Sequence, residues 1–422
     1  MMTRVLRTSV ICASLAVVAA LLAACGDAAD DTARSATDAV ATIGVPTLMA
    51  SPAPSGSLTP SLVNGANDAV LLSWTERLPD STVAIHVAQY TNGSWDTTRT
   101  ISEKRPYFVN WADFPAVTTL RDGALAAHWL EREGTGKYAY GIRVVRSSDA
   151  GKTWSAPMAP HTDNLPAEHG FVALWPEGAD GLGLAWLDGR KSAMKDSSKE
   201  MTVRTAVVGA TGTLSREAVL DARSCDCCQV VAAATRSGHV VVYRDRTSEE
   251  IRDIVAVRRT GDTWSAPAVV HADNWKYPGC PVNGPSIATR GDSVMVAWYT
   301  GANDTSRVYT ALSTDGGATF GDAVRIDDGD PIGRVAMVFD GAGHAVVGWV
   351  ERLSPDSAEL RVRRVVGVQR SAATTVSAVS TARQSGFPKM VVVRDTLVVA
   401  WTAVKPALQV RMAQLSLTSA NK

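Results

Sequence analysis

Four of the six cysteines lie in two short stretches, Cys225-Asp226-Cys227-Cys228 and Gly279-Cys280-Pro281. Sulfurs so close in sequence have two chemical outlets. In an exported chain an even number favours disulfides, with Cys280 a natural partner for one of the upstream three. Adjacent Cys227 and Cys228 would close too strained a ring to pair with each other. As thiolates the same four suit zinc or copper, with His169 as an additional imidazole ligand.

A second concentration of reactive groups runs from Arg244 to Asp253, where Arg244, Asp245, Glu250 and Arg252 crowd one connection. Arginine forks recognise carboxylates or phosphates, and nearby acids move protons. With Asp188 and Arg190 of an Asp-Gly-Arg turn, these are the candidate catalytic residues; mutual pairing at a solvated rim is the structural alternative. Trp111, Asp113, Glu168, His169, Trp275, Asn283 and Arg334 are the candidate substrate-binding groups. The two indoles could stack on a sugar ring or pack beneath loops. Glycoside hydrolysis needs two suitably separated carboxyl groups, for which Glu168, Asp188, Asp245 and Glu250 are available.

These groups need a scaffold, and the sequence repeats one. Seven apolar runs end in an aromatic residue and then turn polar, at Trp74, Trp129, Trp186, Tyr243, Trp298, Trp349 and Trp401, spaced 51 to 57 residues apart by subtraction. That period is the length of a four-stranded sheet with its turns, and such units must stack to bury their apolar faces. An all-β, seven-bladed propeller is expected over residues 42–422, with a six-bladed ring as the alternative. The final unit ends at its third strand, around Val410 to Leu417. The segment from Thr42 to Ala50 is therefore expected to supply the missing strand and close the ring, removing an exposed edge.

Strand direction sorts the loops onto two faces. The turns Ser147-x-Asp149-x-Gly151-x-Thr153-Trp154 and Ser313-x-Asp315-x-Gly317-x-Thr319-Phe320 fall on one. The cysteines, the charged connection and the unrepeated aromatics fall on the other. In the two turns Gly supplies a backbone conformation that other residues avoid, and Asp and Ser bond local amides.

Those turns resemble Asp-boxes, the bacterial neuraminidase repeats of sialidases and other propellers. The resemblance covers most of the chain as architecture and implies a glycan-directed protein, either a divergent glycosidase or a carbohydrate-binding module. It also implies an arginine set for a substrate carboxylate, a tyrosine paired with a glutamate as nucleophile, and an aspartate as acid/base. Leu58 stands where the first arginine is expected, Glu76 and Arg77 match a later element, Asp80 approximates the acid/base, and Glu250 with Arg252 match a middle-blade pair.

The N-terminus addresses the chain to the cell envelope. Arg4 and Arg7 precede an apolar stretch ending at Leu22-Ala23-Ala24-Cys25, a secretory signal over residues 1–24 whose tail resembles the lipoprotein box. Lipidation of Cys25 would anchor the protein to a membrane, with residues 25–41 as a tether. Lysine plus arginine and aspartate plus glutamate are equal at 42 each, which leaves no electrostatic footprint for nucleic acid. A monomer is expected. The other open readings are a metal or thiol-redox protein built on the cysteines and a protein-binding scaffold.

Overall fold

The structure, a computed structural model, describes residues 40–195 and 198–418. The signal segment, Cys25 and all but the end of the tether lie outside the described residues. Seven antiparallel sheets make up the rest. Their innermost strands are Ser57–Asn64, Ala116–Thr119, His169–Glu177, Val231–Ala234, Ser286–Arg290, Pro331–Phe339 and Lys389–Val393. Each touches the inner strands of the blades before and after it, and blade one touches both blade two and blade seven. The ring is a seven-bladed β-propeller. Among the described residues no helix is long and apolar enough to cross a membrane.

Blade seven closes as the strand count requires. Thr47–Met49 pairs antiparallel with Gln409–Ser416, joining the start of the described chain to its end. Ile43 is buried between blades six and seven with Leu360, Val376 and Leu397, and Gly44 N–H donates to Ser416 O at 2.9 Å. The closure therefore combines backbone pairing with apolar burial.

The recurring aromatic fills the space between neighbouring sheets, and all seven are at most 3% exposed. Its ring polar group needs an acceptor there. Trp129 donates to Glu131 at 2.8 Å, Trp186 to Asp188 at 2.9 Å and Trp349 to Glu351 at 2.5 Å, in each case two residues further along the same strand. In blades two, three and six the pattern is thus an indole with its own carboxylate, whereas Tyr243 donates to Asp221 and Trp298 to Asp273 from other segments.

Blade two departs from the expected four strands. Only Ala116–Thr119, Leu125–Arg132 and Tyr140–Ser147 form its sheet, and the fourth position shrinks to a bridge between Val144 and Met158. Pro157 and Pro160 flank Met158 and cannot donate to a ladder. The gap leaves a groove of about 820 Å³ beside blade three, lined by Trp154, Met158, Leu182 and Val208. Both Asp-box turns form as expected: Asp149 accepts from Thr153 N–H and Oγ1, and Asp315 makes the matching pair with Thr319.

Three inner strands carry bulges near their first residues, between Leu58 and Ser61, Gly170 and Ala173, and Gly333 and Ala336. Within them Thr59, Phe171 and Arg334 take positive φ angles of 50°, 54° and 55°, a strained backbone for side chains of this size. Bulges re-aim side chains, and these ring the mouth of the central channel.

Candidate functional site at the channel mouth

The bulge in blade three builds the acidic part of the mouth. Phe171 N–H donates to Asp113 Oδ1 at 2.8 Å, and a side chain on Gly170 would strike Asp113 Oδ2 at 2.0 Å. Glycine there lets the carboxyl come down onto the strand. Tyr140, 1% exposed, donates its hydroxyl to Glu168 Oε1 at 2.6 Å and lies 3.3 Å from Asp113 Oδ2. Burial raises the Asp113 carboxyl to about 8 and Glu168 to about 7, with the Asp226 charge adding to the latter. Two carboxyls share one phenol, and both hold protons near neutral pH.

Gln229, directly after the cysteines, ties the surrounding loops together. Its Nε2 donates to Ala112 O at 2.6 Å and its Oε1 accepts from Gly284 N–H at 2.9 Å. A side chain on Gly284 would meet the Gln229 backbone at 2.5 Å, so this crossing also depends on glycine. Below it the channel encloses about 300 Å³, with Asp113, Phe114, Gln229, Ser286 and Lys389 among its lining. The Lys389 ammonium lies 4.1 Å from the Phe114 ring centre, and burial lowers its pKa to about 8.

Cys225, Cys227 and Cys228 stand above Gln229 as separate thiols. Cys225 Sγ is 3.4 Å from Cys228 Sγ and 3.8 Å from Cys227 Sγ, well beyond a disulfide bond of about 2.05 Å. Cys280, from the loop before blade five, reaches the Cys227 thiol and is exposed. The expected disulfides are therefore not formed in this structure. Around the thiols, Arg252 donates to Glu250 at 2.7 Å and to Tyr277 O at 3.1 Å, while Arg246 also pairs with Glu250. Asp226 Oδ1 lies 3.6 Å from both Arg246 and Arg252 and has no hydrogen-bond partner among the described residues.

The remaining sequence candidates are placed elsewhere. His169, fully buried, directs Nε2 to Asp163 Oδ2 at 2.9 Å and Nδ1 to Tyr140 O at 3.4 Å, away from the cysteines. Both ring nitrogens face acceptors: burial opposes the charged form, but Asp163 and Asp188 outweigh burial and raise its pKa. His161 stacks on it at 3.9 Å, and its Nε2 accepts Ile142 N–H. Asp188 accepts from Trp186 and twice from Arg190, at 2.7 Å each. Asp188, Arg190 and His169 thus form a buried network within blade three.

Asp245 belongs to its own loop, accepting from Arg246 N–H, and burial raises it to about 6. Arg244 is 1% exposed and directs its guanidinium to Asn283 O, Arg252 O and Tyr299 O over the face of buried Trp275. Asn283 accepts Arg334 N–H at 2.8 Å, and Arg334 covers Trp111 with donations to Ala382 O and Thr381 O. These residues hold the loops that shape the mouth. Asp113, Glu168, Glu250, Arg252 and the cysteines are the candidates brought to the mouth itself. Tyr140, Gln229 and Lys389 were not among the sequence candidates. Tyr140 and Lys389 sit at strand positions that read as ordinary repeat packing, and only Gln229's place beside the cysteines marked it.

Family comparison agrees with this architecture. The family description BNR repeat-like domain matches residues 73–400. The chain belongs to that family. No match is found among curated proteins. Similar solved structures include a protein of unknown function from Dyadobacter fermentans, 14% identical over 90% of this chain and 99% of that one, with a TM-score of 0.50. An α-L-arabinanase of Penicillium chrysogenum complexed with arabinobiose is 12% identical over 90% and 98%, with a TM-score of 0.47. The NanB sialidase of Streptococcus pneumoniae, a K499G mutant, is 11% identical over 89% and 71%, with a TM-score of 0.44. At these identities the likeness is one of fold.

Proposed function

We propose that this BNR repeat-like propeller is a glycan-directed protein of the cell envelope, anchored through lipidated Cys25, and that its channel mouth hydrolyses glycosidic bonds. The observation that carries the reading is the pairing of Tyr140 with a half-buried Glu168 whose carboxyl titrates at about 7. A carboxyl protonated near neutrality is suited to protonating a leaving-group oxygen. Asp226, whose charge Glu168 senses and whose Oδ1 has no hydrogen-bond partner among the described residues, would serve as the second carboxylate that glycoside hydrolysis requires. Arg246 and Arg252, each 3.6 Å from it, can orient sugar hydroxyls.

The test is a glycan array together with a panel of aryl glycosides, applied to the purified protein and to Glu168→Gln and Asp226→Asn. Turnover by the parent, lowered about a hundredfold or more in Glu168→Gln with binding retained, supports an acid role for Glu168. Absence of both binding and turnover in the parent overturns the proposal. Release from membranes after Cys25→Ala tests the anchor separately.

A further inference from the structure

The glycan reading does not use the four thiols. Three of them, Cys225, Cys227 and Cys228, place their sulfurs within 4.8 Å of one another, and Cys280 joins through Cys227 from a different loop. Four thiolates around a tetrahedral ion with bonds of about 2.3 Å stand about 3.8 Å apart, which follows from the tetrahedral angle. Within the group of three, Cys225 Sγ stands 3.4 and 3.8 Å from the other two sulfurs, close to that spacing and far from a disulfide, and Cys280 would close in from its loop to complete the shell.

The surroundings favour an ion that leaves excess negative charge on the sulfurs. Arg244 and Arg252 are 1% and 2% exposed, and both influence Cys225. The Arg244 hydrogen bonds run to main-chain carbonyls, so none of them sets a carboxylate against its charge. Among the described residues Arg252 Nη1 has no hydrogen-bond partner, with Asp226 Oδ1 3.6 Å away. Four thiolates around a divalent ion, or three around a monovalent one, carry two net negative charges; Arg244 offsets part of that charge, while Arg252 is shared with Glu250 and Asp226. His169 is engaged with Asp163 and Tyr140, so the donor set is sulfur alone. All-sulfur donors select soft cations over magnesium or calcium.

We propose that Cys225, Cys227, Cys228 and Cys280 bind one thiophilic d10 cation, zinc or cuprous copper, at the channel mouth. The first three sulfurs are set by the turn that Gln229 anchors. Cys280 is the exposed ligand through which the ion enters and leaves.

The test uses the full-length protein purified under reducing, anaerobic conditions and loaded with zinc or with cuprous copper in the presence of a competing chromogenic chelator. One equivalent per chain and an X-ray absorption shell of sulfur at about 2.3 Å are expected. The competition ranks the two metals. Cys228→Ser should abolish binding. Cys280→Ser, on an exposed loop where folding is not at stake, should weaken it, and Arg252→Met should weaken it about tenfold or more by removing an outer-shell group. Four reduced thiols that bind neither metal, or a mass shift showing that the reduced protein spontaneously forms disulfides in preference to holding either ion, would overturn the site. Glu168→Gln should bind metal like the parent, so the fate of the glycan reading is read independently.

Discussion

The Tyr140 hydroxyl lies 2.6 Å from Glu168 Oε1 and 3.3 Å from Asp113 Oδ2, and so joins two carboxyls from successive blades through one phenol. Both carboxyls are raised by burial, to about 7 and about 8, which means that the folded protein holds their protons more tightly than the unfolded chain does. Their contribution to stability is therefore full below an ordinary carboxyl pKa of about 4 and is lost as pH rises towards 8. His169, also raised, adds a loss in the same direction above its unfolded value. Melting temperature should fall between pH 5.5 and pH 8.5. Asp113→Asn should flatten that fall by removing the carboxyl that titrates highest, and an unchanged slope would show that Asp113 is already ionised in the fold. The measurement is a thermal melt at each pH.

Asp163 carries the opposite dependence. Burial works to raise it, but hydrogen bonds from His161 and His169 and the charge of Arg190 leave it well below the usual carboxylate range. Stability from this group is present above the unfolded pKa and is lost only as pH falls through the depressed value. Asp163→Asn should lower the melting temperature at pH 7, shift His169 titration downward by NMR, and narrow the difference between parent and variant below pH 3. A His169 titration indifferent to the substitution would contradict the pairing of His169 with Asp163.

The repeat was legible in the sequence because one packing problem recurs in each blade. A tryptophan between sheets needs an acceptor, and in blades two, three and six the sequence supplies it two residues later. The same regularity concealed the role of Asp188: its position is equivalent to Glu131 and Glu351, so its charge reflects the repeat and not an exception to it. Convergence of Cys280 with the upstream cysteines could be read from strand order. The separation of their sulfurs could not, because it depends on how Gln229 and Gly284 cross. The bulges at Thr59, Phe171 and Arg334 also left no pattern in composition, since a positive φ at a threonine, phenylalanine or arginine is imposed by tertiary packing.

Asp188→Ala therefore tests packing before chemistry. It would leave the Trp186 indole without its acceptor, leave the guanidinium of Arg190 with Asp163 at 3.1 Å in place of two carboxylates, and remove a nearby charge from His169. Breaking one partner of such a buried set costs about 3 kcal/mol or more. Asp188→Asn keeps an oxygen for Trp186 and should recover part of the loss in denaturant titration. A variant of parental stability would mean that Trp186 and Arg190 find other partners.

The ring closure makes the sharpest prediction about stability. The last contact of the seven-sheet ring also covers an edge: Thr47–Met49 pairs with Gln409–Ser416, the third strand of blade seven, and becomes its outermost strand. Most of that strand is exposed, so its own side chains bury little; Ile43, just before it, enters the core between blades six and seven. Ile43→Ala should cost about 2 kcal/mol or more by leaving a cavity, while Leu48→Ala, at an exposed position, should be close to neutral. Deleting residues 40–50 removes both contributions and frees the strand Gln409–Ser416 to pair with another chain. Concentration-dependent association of the deletion variant in sedimentation, absent from Ile43→Ala, would separate the edge-covering role from the burial. If the deletion stayed monomeric and fully stable, blade seven would hold with three strands and the closure would be dispensable.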